Sequence, residues 1–210
     1  MAELPTQIAL FPLPNVVLFP RVSLPLHIFE PRYRAMVADV RATDGWIGMV
    51  LLHPRGVAGP GGGPPILPIG CAGQIRRFDL LKDGRSNLML EGMRRFRVEE
   101  EDAERVYRRA RVAWLGSEEA EHSLAVLPAG LLEEVEVLLR REGRGFKGKL
   151  IDHLPADLAL LVNTLSFALD FAMVEKVALL ECESVAARAE RLGELVRFRL
   201  AAGKAPDTLQ

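Results

Sequence analysis

The glycine-rich segment GRGFKGK, Gly143–Lys149, is the part of this sequence that comes nearest to a known chemical motif. It matches the spacing of a phosphate-binding loop, in which backbone N–H groups and a lysine hold a nucleotide's phosphates. Such a loop follows a strand and continues with a Ser or Thr that binds magnesium. Here Leu150 comes next and a helical pattern precedes the segment. We therefore interpret it as a flexible basic connector.

The residue types of metal and catalytic sites show no productive spacing. The four histidines, His27, His53, His122 and His153, stand neither at i,i+4 nor beside a paired cysteine, as zinc ligands do. No serine lies in a G-x-S-x-G elbow, which would present a nucleophile to an oxyanion hole. The carboxylate run Glu99–Asp102 is typical of a solvated turn. We predict no metal site, no cofactor and no enzymatic activity.

A group of arginines offers a different chemistry. Arg108, Arg109 and Arg111 could form a basic face that binds RNA phosphates. Acidic residues are interleaved with these arginines, so ion pairs across a sheet explain them as well. Aromatic residues on which bases could stack are sparse. RNA binding is therefore the alternative hypothesis, and nucleic acid is not the expected partner.

Composition indicates a globular protein outside the membrane. Of 210 residues, 49% are hydrophobic and 26% charged, and the formal net charge is −1, which gives no overall basic footprint. No apolar run approaches the length that spans a bilayer. The N-terminal residues MAELPTQIALF lack the basic and apolar regions of a secretory signal. We expect a cytoplasmic protein.

The first half of the chain follows the alternation of β-strands. Apolar residues of Leu24–Ile28 alternate with polar or proline positions, as in a half-buried strand. A helix is predicted over Pro31–Arg41, because proline is favoured at the first helical position. Asp83-Gly84 between apolar flanks predicts a hairpin. Separate strands are predicted around Leu90 and around Val98, and the alternation of Arg105–Leu115 predicts a further strand. About six strands and one short helix within residues 1–116 predict a small β-barrel or closed sheet.

Helical spacing replaces this alternation after Gly116. Apolar residues recur at i, i+3, i+4 and i+7 in four stretches, which predict amphipathic helices. These stretches are Leu124–Arg141, 155–165, Phe171–Glu181 and 184–198. We therefore predict an α+β chain of two domains, with a four-helix bundle over residues 117–210 following the β domain of residues 1–116.

The order of residues near the N-terminus resembles the start of the N-terminal domain of Lon proteases. The family's pieces PLFPL, vvLFPg and LPLhIFEpRY stand here as ALFPL (9–13), VLFPR (17–21) and LPLHIFEPRY (24–33). Arg21 departs from the pattern, since the family often has glycine there. Residues 175–188 also resemble the family's EKqxLLE…dvxxRl segment. The resemblance thus extends over most of the chain.

The resemblance implies a PUA-like β-barrel and a helical domain that recognise protein substrates. It implies a non-enzymatic protein- or peptide-binding module in protein quality control or regulated proteolysis. A chain of 210 residues leaves no room for Lon's ATPase and serine–lysine peptidase modules, so we expect a stand-alone domain. Its partners would be unfolded or tagged polypeptides and a protease or chaperone, with the oligomeric state left open.

Three residues of the most family-like segment are the predicted peptide-binding residues: Phe29, Arg32 and Tyr33. The functional interpretation makes them the lip of a protein-binding surface. The structural alternative is that Phe29 and Tyr33 hold the short helix against the barrel, because aromatic residues at a junction between strand and helix usually pack.

Overall fold

A computed structural model describes residues 4–43, 45–53, 63–102, 104–116, 127–144 and 154–202. This part of the chain forms six strands and five helices, which confirms the predicted α+β class. None of these helices is long and apolar enough to cross a membrane. The elements are β1 (Gln7–Leu13), β2 (Ser23–Ile28), α1 (Pro31–Arg41), β3 (Trp46–Leu52), β4 (Ile66–Leu80), β5 (Ser86–Asp102), β6 (Arg109–Trp114), α2 (Leu131–Arg141), α3 (Leu158–Ala168), α4 (Met173–Glu181) and α5 (Val185–Ala202).

Five of the strands pair in a closed circuit. β1 pairs in parallel with β3 and antiparallel with β6. β3 pairs with β4, β4 with β5 and β5 with β6, all antiparallel. β2 is added outside the circuit, where it pairs with β5. β4 and β5 are the longest strands, and register shifts in their pairing let them bend around the circuit.

A buried apolar cluster takes residues from every strand of the circuit. The Phe96 side chain is fully buried, and its ring passes so close to Gly48 and Gly70 that a Cβ at either position would come within 2.8 Å of it. Trp46 and Trp114 pack against the cluster with their ring centroids 5.2 Å apart. The buried members are Ile8, Leu10, Val50, Ala72, Phe96, Ala110 and Val112.

Several element boundaries confirm or correct the sequence-based prediction. The Asp83-Gly84 hairpin is confirmed, with Gly84 at a φ of +80° in the turn between β4 and β5. The region predicted as separate strands around Leu90 and Val98 is one continuous strand, β5. The helix predicted from Leu124 begins at Leu131, because Gly130 takes a left-handed φ of +77° and Leu127 precedes it outside the helix. Leu124 itself lies outside the described residues.

The helices after the sheet divide between two compact units. The first unit is Met1–Ser117 with Asn163–Glu181, and the second is Glu118–Val162 with Cys182–Gln210. In the first unit α4 packs on β4, whereas in the second α2 packs on α5. The predicted four-helix bundle is thus not confirmed, and the boundary between the two units falls within α3. The apolar positions of a helix predict that one face is buried, but they do not predict which element buries it. The division into domains at residues 116 and 117 stays a prediction.

Two buried polar contacts fasten the helical segment of the first unit to its strands. Arg95, on β5 and 2% exposed, donates from Nη1 to the Leu180 carbonyl oxygen at 3.1 Å. That carbonyl belongs to the last turn of α4, where helix carbonyls lack intrahelical partners and attract cations. Asn163 donates from Nδ2 to the Pro20 carbonyl oxygen at 3.0 Å. Both contacts connect positions far apart in sequence.

Candidate functional site

The end of β2 and the first turn of α1 place the three predicted peptide-binding residues differently. Phe29 follows β2 and is 58% exposed, with its ring 6.0 Å from that of His27. Tyr33 is buried, and its ring centroid lies 4.2 Å from that of Phe11 on β1. The Arg32 guanidinium lies 4.5 Å from the centre of the Tyr33 ring. The structure therefore packs Tyr33 on the sheet and leaves Phe29 on the surface.

A cavity of about 250 Å³ opens beside Arg32 and Tyr33. Its other walls come from β1, the end of β3, and the connection between β5 and β6. That connection contributes Val106, a 73% exposed aliphatic residue, together with Tyr107 and Arg108. We call this space the Tyr33 cavity. It brings two predicted peptide-binding residues together with one residue of the alternative RNA-binding set.

The cations of the Tyr33 cavity are matched by carboxylates. Arg108 lies 3.5 Å from the Glu101 carboxylate and donates from Nη2 to the Pro64 carbonyl oxygen at 2.6 Å. Arg32 pairs with Glu30 at 2.8 Å. Arg105 pairs in the same way with Asp39, at 3.5 Å. Each arginine that lines the cavity thus has a carboxylate partner, so the described lining attracts an anion only weakly, and this lining contains polar as well as apolar residues.

The two tyrosines that line the cavity, Tyr33 and Tyr107, both have a pKa above the usual value for tyrosine. Burial raises the pKa of Tyr33, and the Glu30 carboxylate adds to this, while the neighbouring Arg32 guanidinium opposes it. Burial also raises the pKa of Tyr107, and so does the hydrogen bond that its hydroxyl donates to Asp39 at 2.7 Å. Both hydroxyls therefore remain neutral hydrogen-bond donors at physiological pH.

The three arginines of the RNA-binding alternative do not form one open basic face. Arg111 lies between Glu99 and Glu100, at 2.6 and 3.1 Å. Arg109 donates to the Gln7 side-chain oxygen. Arg108 faces the Tyr33 cavity and is held by Glu101. Arg108 and Arg111 thus form the ion pairs that the cross-strand interpretation of the sequence expected, whereas the contact of Arg109 is with a neutral amide.

The remaining chemical candidates contribute no site from the residues that the structure describes. No group of three His, Cys, Asp or Glu side chains within the described ranges could hold a metal ion. Of the segment Gly143–Lys149, the residues after Arg144 lie outside those ranges. His27 is exposed and shares a hydrogen bond of 2.6 Å with the Asn87 side chain, as predicted for a strand's solvent face.

Sequence reasoning missed Val106 and Tyr107 as site residues. The alternation of residues 105–115 predicted a strand throughout, but the strand begins only at Arg109. One signal was present in the sequence, since Asp is common where a chain turns. Asp102 indeed accepts a hydrogen bond from the Glu104 backbone N–H at 2.8 Å, and this turn directs the connection over the cavity.

Comparison with protein families and curated proteins gives a consistent result. Residues 7–197 match the family model of the ATP-dependent protease La (LON) substrate-binding domain. A Lon protease of Cytophaga hutchinsonii is 26% identical, over 92% of this chain and 24% of that protein. Lon protease 2 of Myxococcus xanthus is 28% identical, over the same shares. The chain thus spans about a quarter of the length of these relatives.

Solved structures of Lon N-terminal domains are similar to this chain. A crystal structure of a Lon N-terminal domain protein from Xanthomonas campestris superposes with a TM-score of 0.64 and 26% identity, covering 90% of this chain and 97% of that one. The N-terminal domain of a Lon protease from the Mycobacterium avium complex gives 0.62 and 16% identity, covering 91% and 98%, and supports the fold alone. These comparisons give no support to the RNA-binding alternative.

Proposed function

Because the chain belongs to the family of ATP-dependent protease La (LON) substrate-binding domains, we propose that it binds polypeptide substrates without acting on them chemically. The substrates in this proposal are unfolded or tagged polypeptides. Binding would serve protein quality control or regulated proteolysis, with ATP hydrolysis and peptide cleavage supplied by a protease or chaperone partner. In the same proposal the closed circuit of five strands is the PUA-like barrel that the family resemblance implies.

The observation that carries this proposal is the exposed apolar surface near the start of α1. Phe29 and Val106 are large apolar side chains that face solvent, and exposed apolar residues of this kind supply weak, sequence-tolerant affinity. The Tyr33 cavity lies beside Val106 and has room for an apolar or aromatic side chain. Unfolded chains expose such side chains, whereas folded proteins bury them. The surface therefore favours unfolded over folded polypeptides.

Strand β2 supports binding of the substrate in an extended form. β2 pairs with β5 on one side, and within the described ranges its other side has no strand partner. An extended peptide can add to such an edge through backbone hydrogen bonds, whatever its sequence. Pro25 in β2 lacks an N–H donor, so an added ladder is short. Phe29 directly follows this edge, where it would contact the same peptide.

The test is a titration of a permanently unfolded protein with the whole chain. The probe is fluorescein-labelled lysozyme that is reduced and carboxamidomethylated, so that it cannot refold. We expect saturable binding at physiological salt with a Kd of about 10 to 100 µM. Phe29→Ser and Val106→Ser should each weaken binding by roughly fivefold, because each removes the burial of one apolar side chain.

Matched controls come from two other exposed apolar residues. Phe198, on α5, and Val174, on α4, are 65% and 54% exposed and lie outside the Tyr33 cavity. Phe198→Ser and Val174→Ser should leave binding unchanged. Absence of saturable binding would contradict the proposed function. Equal weakening by all four variants would contradict the proposed surface.

A further inference from the structure

A second groove lies between α1 and the β4–β5 hairpin. It has a volume of about 410 Å³ and an apolar floor of Val37, Ala38, Phe78 and Leu80. Leu80 is 68% exposed, although large aliphatic residues are usually covered. A second hollow of about 380 Å³ continues the groove and shares Arg41 and Phe78 with it. We call the two together the hairpin groove. They share no lining residue with the Tyr33 cavity.

Among the residues that the structure describes, all charged side chains that line the hairpin groove are arginines. They are Arg34, Arg41, Arg76 and Arg77. Arg76 pairs with Glu91, and Arg77 pairs with Asp79 at 2.9 Å. Arg34 and Arg41 form no ion pair with any residue that the structure describes. This contrasts with the Tyr33 cavity, where each arginine has a carboxylate partner.

The two uncompensated arginines are held in place by their surroundings. The Arg41 guanidinium lies 3.8 Å from the centre of the Phe78 ring, which is a cation–π contact. The Arg34 guanidinium rests on the hairpin turn, where a Cβ at Gly84 would come within 2.2 Å of its Nη2 atom. Ordered cations lose little entropy on pairing with an anion.

The spacing of these groups indicates the shape of their partner. Arg34 and Arg41 are two turns apart on α1, which places them roughly 10.5 Å from each other along the helix axis. Val37 and Ala38 lie between them, so this side of α1 has a cation at each end and two apolar residues in the middle. A second helix presents the complement when carboxylates stand at i and i+7 and apolar residues at i+3 and i+4. In an extended peptide, two carboxylates 10 Å apart would point to opposite faces.

We propose that the hairpin groove docks an acidic amphipathic helix of a partner protein. Two of its carboxylates pair with Arg34 and Arg41, and the apolar residues between them pack on Ala38 and Leu80, which are exposed. This goes beyond the binding of unfolded substrates, because it assigns a second surface, with its own partner chemistry, to the same unit. RNA fits the groove less well. The Arg41 guanidinium lies over one face of the Phe78 ring, where a base would otherwise stack, and the apolar residues between the arginines match an apolar helix face better than a phosphate backbone.

The test uses the whole chain and a fluorescein-labelled synthetic peptide, EAALLAAEAALLAAE, which repeats the required spacing. We expect saturable binding that weakens as salt is raised, since exposed ion pairs are screened. Arg34→Glu with Arg41→Glu should weaken it by at least about tenfold, because both contacts become repulsive. Leu80→Ser should weaken it by roughly fivefold. The peptide with lysine in place of glutamate should not bind.

Arg97→Glu is the matched control, since Arg97 is exposed on β5, outside the groove, and forms no ion pair with a described residue. It should leave peptide binding unchanged. The double variant should still bind unfolded lysozyme, whose net charge is positive, so failure here is separable from failure of the proposed function. If the double variant unfolds, Arg34→Gln and Leu80→Ser are compared singly.

Three outcomes would overturn the proposal. The first is that the groove variants bind the peptide like the wild type, and the second is that the lysine peptide binds as well as the glutamate peptide. The third is that a single-stranded RNA oligonucleotide displaces the labelled peptide at a lower concentration than the unlabelled peptide does.

Discussion

Arg21 takes a φ of +63°, a left-handed conformation that no other non-glycine residue of the described chain adopts. This conformation costs a residue with a Cβ about 1 to 2 kcal/mol. It is imposed by a tight crossing with β5, where Arg21 N–H donates to the Gly92 carbonyl oxygen at 2.6 Å and Gly92 N–H donates to the Val22 carbonyl oxygen at 2.9 Å. A Cβ at Gly92 would come within 2.1 Å of the Phe19 carbonyl oxygen.

We predict that Arg21→Gly stabilises the protein. Relief of the left-handed strain should raise the free energy of unfolding by about 0.5 to 1 kcal/mol, after allowance for the greater freedom of glycine in the unfolded chain. Urea denaturation measures this change. Arg21→Ala is the control, because it removes the same long side chain but keeps the Cβ and therefore the strain. A glycine variant no more stable than the alanine variant would contradict the explanation.

The two tyrosines of the chain predict a loss of stability at alkaline pH. Their pKa values are raised in the folded protein, so the folded state holds these protons more tightly than the unfolded state. Their contribution to stability is therefore complete below a pH of about 10 and is lost as the pH rises through the folded pKa. Absorbance of tyrosinate should appear at higher pH in the folded protein than in urea.

Tyr107→Phe isolates one of these contributions. At about pH 7 it should cost roughly 1 kcal/mol, since it removes the hydrogen bond to Asp39. Between about pH 7 and pH 11 the variant should then lose less stability than the wild type, because one titrating group is gone. Urea titrations at both pH values measure the difference. An equal loss in variant and wild type would mean that Tyr107 has no raised pKa.

At the scale of elements, the sequence predicts well those boundaries that depend on turn-forming or helix-starting residues. Pro31 begins α1, and Asp83-Gly84 joins β4 to β5, as predicted. The period-two pattern fails within β5, where Arg95 and Phe96 are adjacent and both buried. Both faces of the sheet are covered at this point, because Phe96 lies in the buried apolar cluster while Arg95, on the opposite face, contacts the Leu180 carbonyl oxygen of α4. The sequence alone therefore suggested two strands where one exists.

The helices show a second limit of predictions that rest on the spacing of apolar residues. Buried residues of α4 include Lys176 beside Val177 and Leu179, so its buried surface is not a simple apolar stripe. Lys176 donates from Nζ to the Phe167 carbonyl oxygen, a contact that no spacing rule predicts. α4 packs on β4, and α2 packs on α5. Each of these contacts joins residues that are far apart in sequence. An apolar pattern cannot distinguish these partners.

At the scale of the whole molecule, we predict that residues 1–116 expressed alone keep a cooperative thermal transition. The closed circuit of strand pairings lies within these residues, and so does its buried cluster. The fragment should melt well below the whole chain, because it lacks the helical segment that binds buried Arg95 and the Pro20 carbonyl oxygen. Calorimetry of fragment and whole chain provides the comparison. A fragment without any cooperative transition would show that residues 1–116 share their core with the rest of the chain.

The candidate site was predicted in part. The family-like segment directed attention to Phe29, Arg32 and Tyr33, and the structure brings two of these to one cavity. Their roles as peptide-binding residues stay a prediction. Val106 and Tyr107 line the same cavity as Tyr33 although they follow it by more than 70 residues in sequence. Their proximity is therefore visible only in the folded structure. The same holds for Phe78 and Leu80, which meet α1 across the hairpin groove.

The sequence by itself determined the family, the α+β class and most strand and helix positions, because turn residues, prolines and apolar periodicity act over a few residues. The tertiary structure alone decided the rest. It closed the circuit of strand pairings and divided the helical region between two units. It also left Arg34 and Arg41 without carboxylate partners among the described residues while pairing Arg108 and Arg111. Burial and ion pairing arise between residues distant in sequence, and their free energies depend on distances that exist only after the chain has folded.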